Sequence, residues 1–218
     1  MMRASVSVAA RREREREARR HHILDAAQRV FYARGFDLAT MDDVALEAQL
    51  GKGTLYLYFR TKEDLLVGVA TRHQQEIIRR FEDHAAGTGI DRVRGMLLDY
   101  ANHMAHPQEH LKMAVARWAQ ATPLANDATS ASNMREYATR IFSLLREAVE
   151  QGQSDGSVRA DLDPARLTMH LWGGVNGALL LRLKLDCVEP PNPLSSHLPT
   201  LEESIALLLD AVGPHLAQ

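Results

Sequence analysis

Apolar positions along this chain recur at three- and four-residue steps, and capping or glycine signals break the pattern into about nine helices. The first stripe, Ile23, Leu24, Ala27, Val30 and Phe31, ends near Gly35, a natural helix stop. Thr40-Met41-Asp42-Asp43 has the threonine-x-x-acid form of a capping box, and Met41, Val44, Ala45 and Ala48 then give one buried face. Gln49-Leu50-Gly51 interrupts the pattern, and a short helix follows with Leu55 and Phe59 pointing inward. A second box, Thr61-Lys62-Glu63-Asp64, opens a helix that buries Leu65, Leu66 and Val69 and continues to about His84.

Ala86-Gly87-Thr88-Gly89 reads as a break. Helices are then expected from about Asp91 to Pro107, Glu109 to Ala121 and Ala128 to Gln151, with a loop over Gly152–Gly156. Asp163 caps the next helix, Pro164 sits in its first turn, and the pattern runs to about Leu185. Gly173, Gly174 and Gly177 lie inside it, each costing roughly 1 kcal/mol relative to alanine, a cost that close approach of another backbone would offset. After a Pro-rich loop, Thr200-Leu201-Glu202-Glu203 opens a last helix with Leu201, Ile205, Leu208, Leu209 and Val212 on one stripe. No stretch alternates with period two. The expected fold class is all-α.

Helix, tight turn and short helix make a helix-turn-helix, whose second helix enters the major groove. The side chains around Lys52–Phe59 suit that use. Lys52 and Lys62 are phosphate anchors, and Tyr56 and Tyr58 can hydrogen-bond phosphate through their phenols. Thr40 can do so from a helix start, where free N–H groups also face the anion. Gly53 permits close approach, Thr54 is the candidate for a base edge, and Leu57 adds an apolar contact. One such helix reads few bases, so a homodimer on a palindromic double-stranded operator is expected, its half-sites ~34–36 Å apart or farther.

Charge distribution agrees with that reading although the net charge is −2. Residues 1–62 hold 12 Lys/Arg against 8 Asp/Glu, and the remainder 14 against 20, so the basic surplus lies with the helix-turn-helix. Residues 1–18 are expected to form a mobile charged arm or a solvated, frayed helix, with contact to the minor groove or flanking phosphates as the functional alternative. No run approaches the ~20 apolar residues that cross a bilayer. The N-terminus is Arg/Glu-rich and Cys187 is alone, so a soluble cytoplasmic protein without membrane association is expected.

From about Arg20 to Val69 the chain resembles the DNA-binding domain of the tetracycline-repressor (TetR) family of transcription regulators. The resemblance rests on Ala27, Phe31, Gly35, Phe36, Thr40, Val44, Ala45, Ala48, Gly53, Leu55, Tyr56, Tyr58, Phe59, Lys62 and Leu65. Gln49 stands where that family usually has the turn glycine, so a non-glycine residue must turn left-handed. Gly51 replaces the usual serine or threonine cap, and Leu57 occupies a position that is often tyrosine. The resemblance implies three regions: the arm at 1–18, the helix-turn-helix domain at 19–66, and a helical effector-binding and dimerisation domain at 67–218. It also implies a repressor that a small molecule releases from DNA. An activator, or a regulator without effector, is the nearest alternative.

For that effector the candidate lining is Met104, Met113, Trp118, Tyr137, Phe142, Trp172 and Asn176, mainly apolar with few polar anchors. For a four-helix dimer interface the candidates are Leu171, Val175, Leu179, Ile205, Leu208, Leu209 and Val212, on the last two helices. His106-Pro107-Gln108-Glu109-His110 fits the H-x-x-E-H pattern literally, but Pro107 favours a helix boundary between the histidines. Metal binding through His103, His106 and His110 is the alternative of another class, with polar surface histidines favoured. Gly51-Lys52-Gly53-Thr54 is not a phosphate-binding P-loop, because Leu46 occupies the first glycine position and no buried strand precedes it. No cofactor and no enzymatic activity are expected.

Overall fold

A computed structural model describes residues 2–106, 128–186 and 193–213. Among them the chain is helical throughout, with α1 (Met2–Arg34), α2 (Met41–Glu47), α3 (Lys52–Tyr58), α4 (Lys62–Asp83) and α5 (Gly89–Ala105). Then come α6 (Ala128–Asp155), α7 (Pro164–Asp186), a 3₁₀ turn (Pro193–His197) and α8 (Leu201–Asp210). No strand occurs among the described residues. The helix expected over 109–121, with Met113, Trp118 and His110, lies outside the described residues, as does Cys187.

The helix starts follow from short polar signals. Thr40 and Asp43 form a complete capping box, and Thr200 and Glu203 form another. Thr61 and Asp64 exchange the same pair of bonds, at 3.0 and 3.1 Å. Asp163 accepts from the Arg166 backbone N–H at 2.8 Å. A box that the sequence reading passed over joins Thr88 and Asp91, so α5 begins at Gly89, where a break had been expected. Hydrogen bonds from the threonine hydroxyls hold the Asp43 and Asp91 carboxyls below their ordinary range, and the Thr200 backbone N–H does the same for Glu203.

The chain divides into two compact units. The first holds α1, α2, α3 and α4 through Arg72, around a core that includes Ile23, Leu24, Phe31, Val44, Leu55, Phe59, Leu65 and Val69. The second holds α4 from His73, α5, α6 from Ser132 onward, α7 and α8. Its core takes Phe81 from α4, Met96 and Leu97 from α5, Leu145 and Val149 from α6, and Leu171 and Leu179 from α7. Gly89 packs closely against another backbone, and Gly174 against a side chain. A Cβ on Gly89 would lie 2.0 Å from the Gly152 nitrogen, and one on Gly174 would lie 2.7 Å from a Leu208 methyl.

The charged N-terminal segment is helical, continuing α1, and its side chains from Val8 to Arg19 are exposed. Among the described residues, no helix is long and apolar enough to cross a membrane.

Candidate nucleic-acid interface

The turn between α2 and α3 carries both departures foreseen from the sequence. Gln49 has φ 53°, the one non-glycine residue with positive φ among the described residues. A side chain in that region costs of order 1–3 kcal/mol and persists because its surroundings hold it. Here the holding bonds are Gln49 N–H to the Leu46 carbonyl, 3.0 Å, and Leu50 N–H to the Ala45 carbonyl, 2.9 Å. Gly51 caps α3 without any side-chain hydrogen bond.

On α3 the inner and outer faces differ sharply. Leu55 is fully buried and Phe59, which closes the helix, is 4% exposed. Outward stand Lys52 and Gly53, with Tyr56 at 48% and Leu57 at 81% exposure. Thr54 and Tyr58 are half-buried at the edges of this face. A Cβ on Gly53 would meet nothing within 4 Å, so the backbone there is open to an incoming surface.

The cations expected on phosphates already have partners in the free protein. Lys52 Nζ donates to Asp42 Oδ2 at 2.6 Å, which raises the lysine pKa above its ordinary value. Lys62 Nζ donates to the Phe36 and Asp37 carbonyls at 2.9 and 3.1 Å and lies 4.6 Å from the Phe36 ring centroid. Two of its three donors therefore brace the turn after α1. The Thr40 hydroxyl is engaged in its capping box, donating to Asp43 Oδ2 at 2.7 Å. The capping box was expected, but the two lysine contacts were not foreseen, because they join residues 10 to 26 apart.

In the second unit, Trp172 and Asn176 of α7 come together with a residue the sequence reading did not include, Tyr100 of α5. The Tyr100 and Trp172 rings lie 4.3 Å apart, and the Tyr100 hydroxyl donates to Asn176 Oδ1 at 2.6 Å. Asn176 in turn donates to the Trp172 carbonyl at 2.8 Å. Burial pushes the Tyr100 phenol well above its ordinary range, and the bond to Asn176 opposes that shift. Met104 is buried in the same core, and Tyr137 and Phe142 of α6 are half-buried. The Tyr137 hydroxyl accepts from Gln75 of α4 at 2.8 Å rather than joining Tyr100.

Of the seven residues expected at a dimer interface, Leu171, Val175, Leu179, Ile205, Leu209 and Val212 are each at most 4% exposed inside the protomer core, and Leu208 packs partly buried against it. Their stripe joins α7 and α8 to α5. The exposed apolar positions on these helices are Met169, Leu180, Leu181 and Leu207 instead.

Of the histidine alternative, His110 lies outside the described residues. His103 packs on His73 of α4, with Nδ1 of His73 3.3 Å from Nε2 of His103, while His106 closes α5 at the surface. Among the described residues, no group of three or more His, Cys, Asp or Glu could hold a metal ion.

The family described as bacterial regulatory proteins, tetR family, matches residues 23–69, the segment that forms α2, α3 and their supports. The transcriptional regulator UidR of Escherichia coli is 25% identical over 164 residues, covering 74% of this chain and 81% of that protein. The repressor NemR of the same organism is 26% identical, over 72% and 81%. A regulator of the TetR/AcrR family from Thermobifida fusca shares the fold, with a TM-score of 0.68 at 21% identity over 92% of this chain and all of that one. The regulator FadR of Bacillus subtilis, solved with stearoyl-CoA, gives 0.66 at 19% identity over 88% and 98%. Residues 23–69 thus match the tetR-family DNA-binding region, and the chain as a whole is similar to transcriptional regulators rather than to enzymes.

Proposed function

We propose that this regulator is a cytoplasmic repressor that binds a palindromic operator as a homodimer and leaves it on taking up a small, mainly apolar ligand. The observation that carries the DNA half is the outer face of α3, where Lys52, Gly53, Tyr56 and Leu57 stand exposed on a helix pinned by Leu55 and Phe59. An exposed leucine beside an open glycine backbone is costly in water and useful against a thymine methyl. Lys52, Tyr56, Tyr58, Thr40 and the remaining Lys62 donor are the phosphate contacts in this reading, and Thr54 the base contact. Residues 19–66 carry this role and 67–218 the effector and dimer roles.

Dimerisation is assigned to the outer face of α7. Met169, Gly173, Gly177 and Leu180 recur there at helical spacing, all exposed. Among the described residues, a Cβ on Gly173 or Gly177 would meet nothing within 4 Å, so the packing described within the protomer does not call for glycine at either position. A partner helix lying close over them, with Leu181 and Leu207 at its margin, supplies the missing reason.

The effector region is assigned to the Tyr100, Trp172 and Asn176 layer, with Met104, Tyr137 and Phe142 as further candidates for its lining. Two polar groups in an otherwise apolar setting suit one oriented ligand. A long-chain acyl group, as in the stearoyl-CoA bound to the B. subtilis regulator, is the first class to test.

The test is fluorescence anisotropy on duplexes that the wild-type protein selects from a random pool. Lys52→Ala should weaken every duplex alike, whereas Thr54→Ala should lose about 1–3 kcal/mol of discrimination at one base pair in each half-site. Unchanged base preference in the Thr54 variant removes that residue from the readout. Selected sites without two-fold symmetry, or DNA retention in the presence of every acyl-CoA tried, would remove the dimer or acyl assignment respectively.

A further inference from the structure

One row of side chains on α1 changes chemistry partway along. Val30, Ala27 and Ile23 occupy the inner row of the helix and are buried in the first unit. At the same three- and four-residue steps the row continues toward the N-terminus through Arg19, Arg16 and Arg12, all exposed. Arg20 marks the junction. Its guanidinium lies 5.1 Å from the centroid of the Phe59 ring, the residue that closes α3.

A row covered by another part of this protein would be apolar, as it is from Ile23 onward. Arginine in the same register calls for an anion instead. The helix's own carboxylates do not supply it. Glu15 is held by Arg11, off this row, at 2.7 Å, and Glu17 lies 3.3 Å from His21. Among the described residues, Arg12, Arg16 and Arg19 have no carboxylate partner, and Glu13 and Glu17 only flank one edge of their row.

We infer that Arg12, Arg16 and Arg19 form a second phosphate-binding row, which grips duplex DNA beyond the segment that α3 reads. The inference rests on the DNA-binding reading above and extends its footprint. From Arg12 to Arg20 the helix rises about 12 Å at roughly 1.5 Å per residue. Duplex DNA presents one phosphate charge per ~1.7 Å of axis, so the three guanidiniums meet separate phosphates. Planar guanidinium forks bind phosphate oxygens in pairs, and they do so without regard to sequence.

The experiment compares full-length wild type with Arg12→Gln/Arg16→Gln/Arg19→Gln on one selected duplex, in a long form with about one helical turn of flanking DNA on each side and in a trimmed form. On the long duplex the variant should bind at least ~10-fold more weakly, and its plot of log K against log salt should be shallower by about 2.7 per protomer. On the trimmed duplex the two proteins should bind alike. Arg11→Gln/Arg14→Gln, which removes charge from the other side of the helix, should leave the slope unchanged. Circular dichroism should show equal helicity in all three proteins. Equal affinity and slope for wild type and triple variant on the long duplex overturn the inference, as does an equal loss in the Arg11/Arg14 control. A wild-type protein that retains no duplex at low ionic strength instead sinks the DNA-binding reading itself.

Discussion

In the first unit Thr40 bonds Asp43 and Thr61 bonds Asp64 at helix starts, and the longest side-chain tie runs from Arg72 to Asp25, 47 residues apart. In the second unit the ties span farther. The Gly89 N–H reaches Asp155, the Ile90 N–H reaches Ser157, and Tyr100 reaches Asn176, across 66, 67 and 76 residues. The first unit thus combines contacts of moderate span with a left-handed glutamine and exposed apolar surface at α3. The second is tied over longer spans, and its exposed apolar side chains include Met169, Leu180 and Leu181 on α7 and Leu207 on α8.

Gly89→Ala should produce the largest effect and bears directly on this contrast. The added Cβ would meet the Gly152 nitrogen at 2.0 Å, its Cα at 2.2 Å and the Ala148 carbonyl at 2.6 Å, all backbone that cannot swing away. A loss of about 3 kcal/mol in urea unfolding is expected. Gly53→Ala in the first unit has open space at the same point and should gain up to about 1 kcal/mol of helix stability while weakening DNA binding. Equal stability losses in the two variants would erase the distinction between a packed and an open glycine.

Tyr100→Phe comes next, at about 1 kcal/mol, because it takes the donor away from the half-buried Asn176 Oδ1. The pH dependence has a defined sign. Burial raises the folded-state pKa of Tyr100 above the ordinary 10.0, so the folded protein holds that proton more tightly than the unfolded chain. Its contribution is complete below about pH 10 and is lost as pH rises beyond it. Denaturant midpoints measured from pH 9 to 11 should fall at the upper end for wild type and fall less for the variant. Parallel alkaline limbs would place the cause elsewhere.

Gln49→Gly comes last. It relieves a side chain at φ 53° but adds the chain entropy of glycine, for a net gain of about 1 kcal/mol. No gain would mean that the turn holds glutamine without strain, and the first unit would lose its claim to a stressed reading element.

How much could be read in advance follows the same division. Threonine-x-x-acid pairs and apolar steps placed α2, α3, α4, α7 and α8 within a few residues, and Leu55 and Phe59 were correctly put inside. Thr88-x-x-Asp91 was equally visible, but Gly87 and Gly89 around it read as a break. Gly89 belongs there because α6 passes against it, a fact that no local window contains. The apolar stripe on α7 was legible, yet periodicity gives a buried face without saying what buries it. Leu171, Val175 and Leu179 face α5 and α8 of their own chain, and the exposed Gly173 and Gly177 lie on the other side. Lys62 was recognised as a cation at a helix start, but its carbonyl partners on Phe36 and Asp37 come from an earlier turn.

The pairing of Lys52 with Asp42 has a thermodynamic consequence for affinity. In the proposed complex a phosphate takes the Lys52 ammonium in exchange for Asp42, so the attraction gained at the backbone is reduced by the ion pair given up in the free protein. The net contribution of this lysine to affinity is therefore smaller than that of a cation with no carboxylate partner.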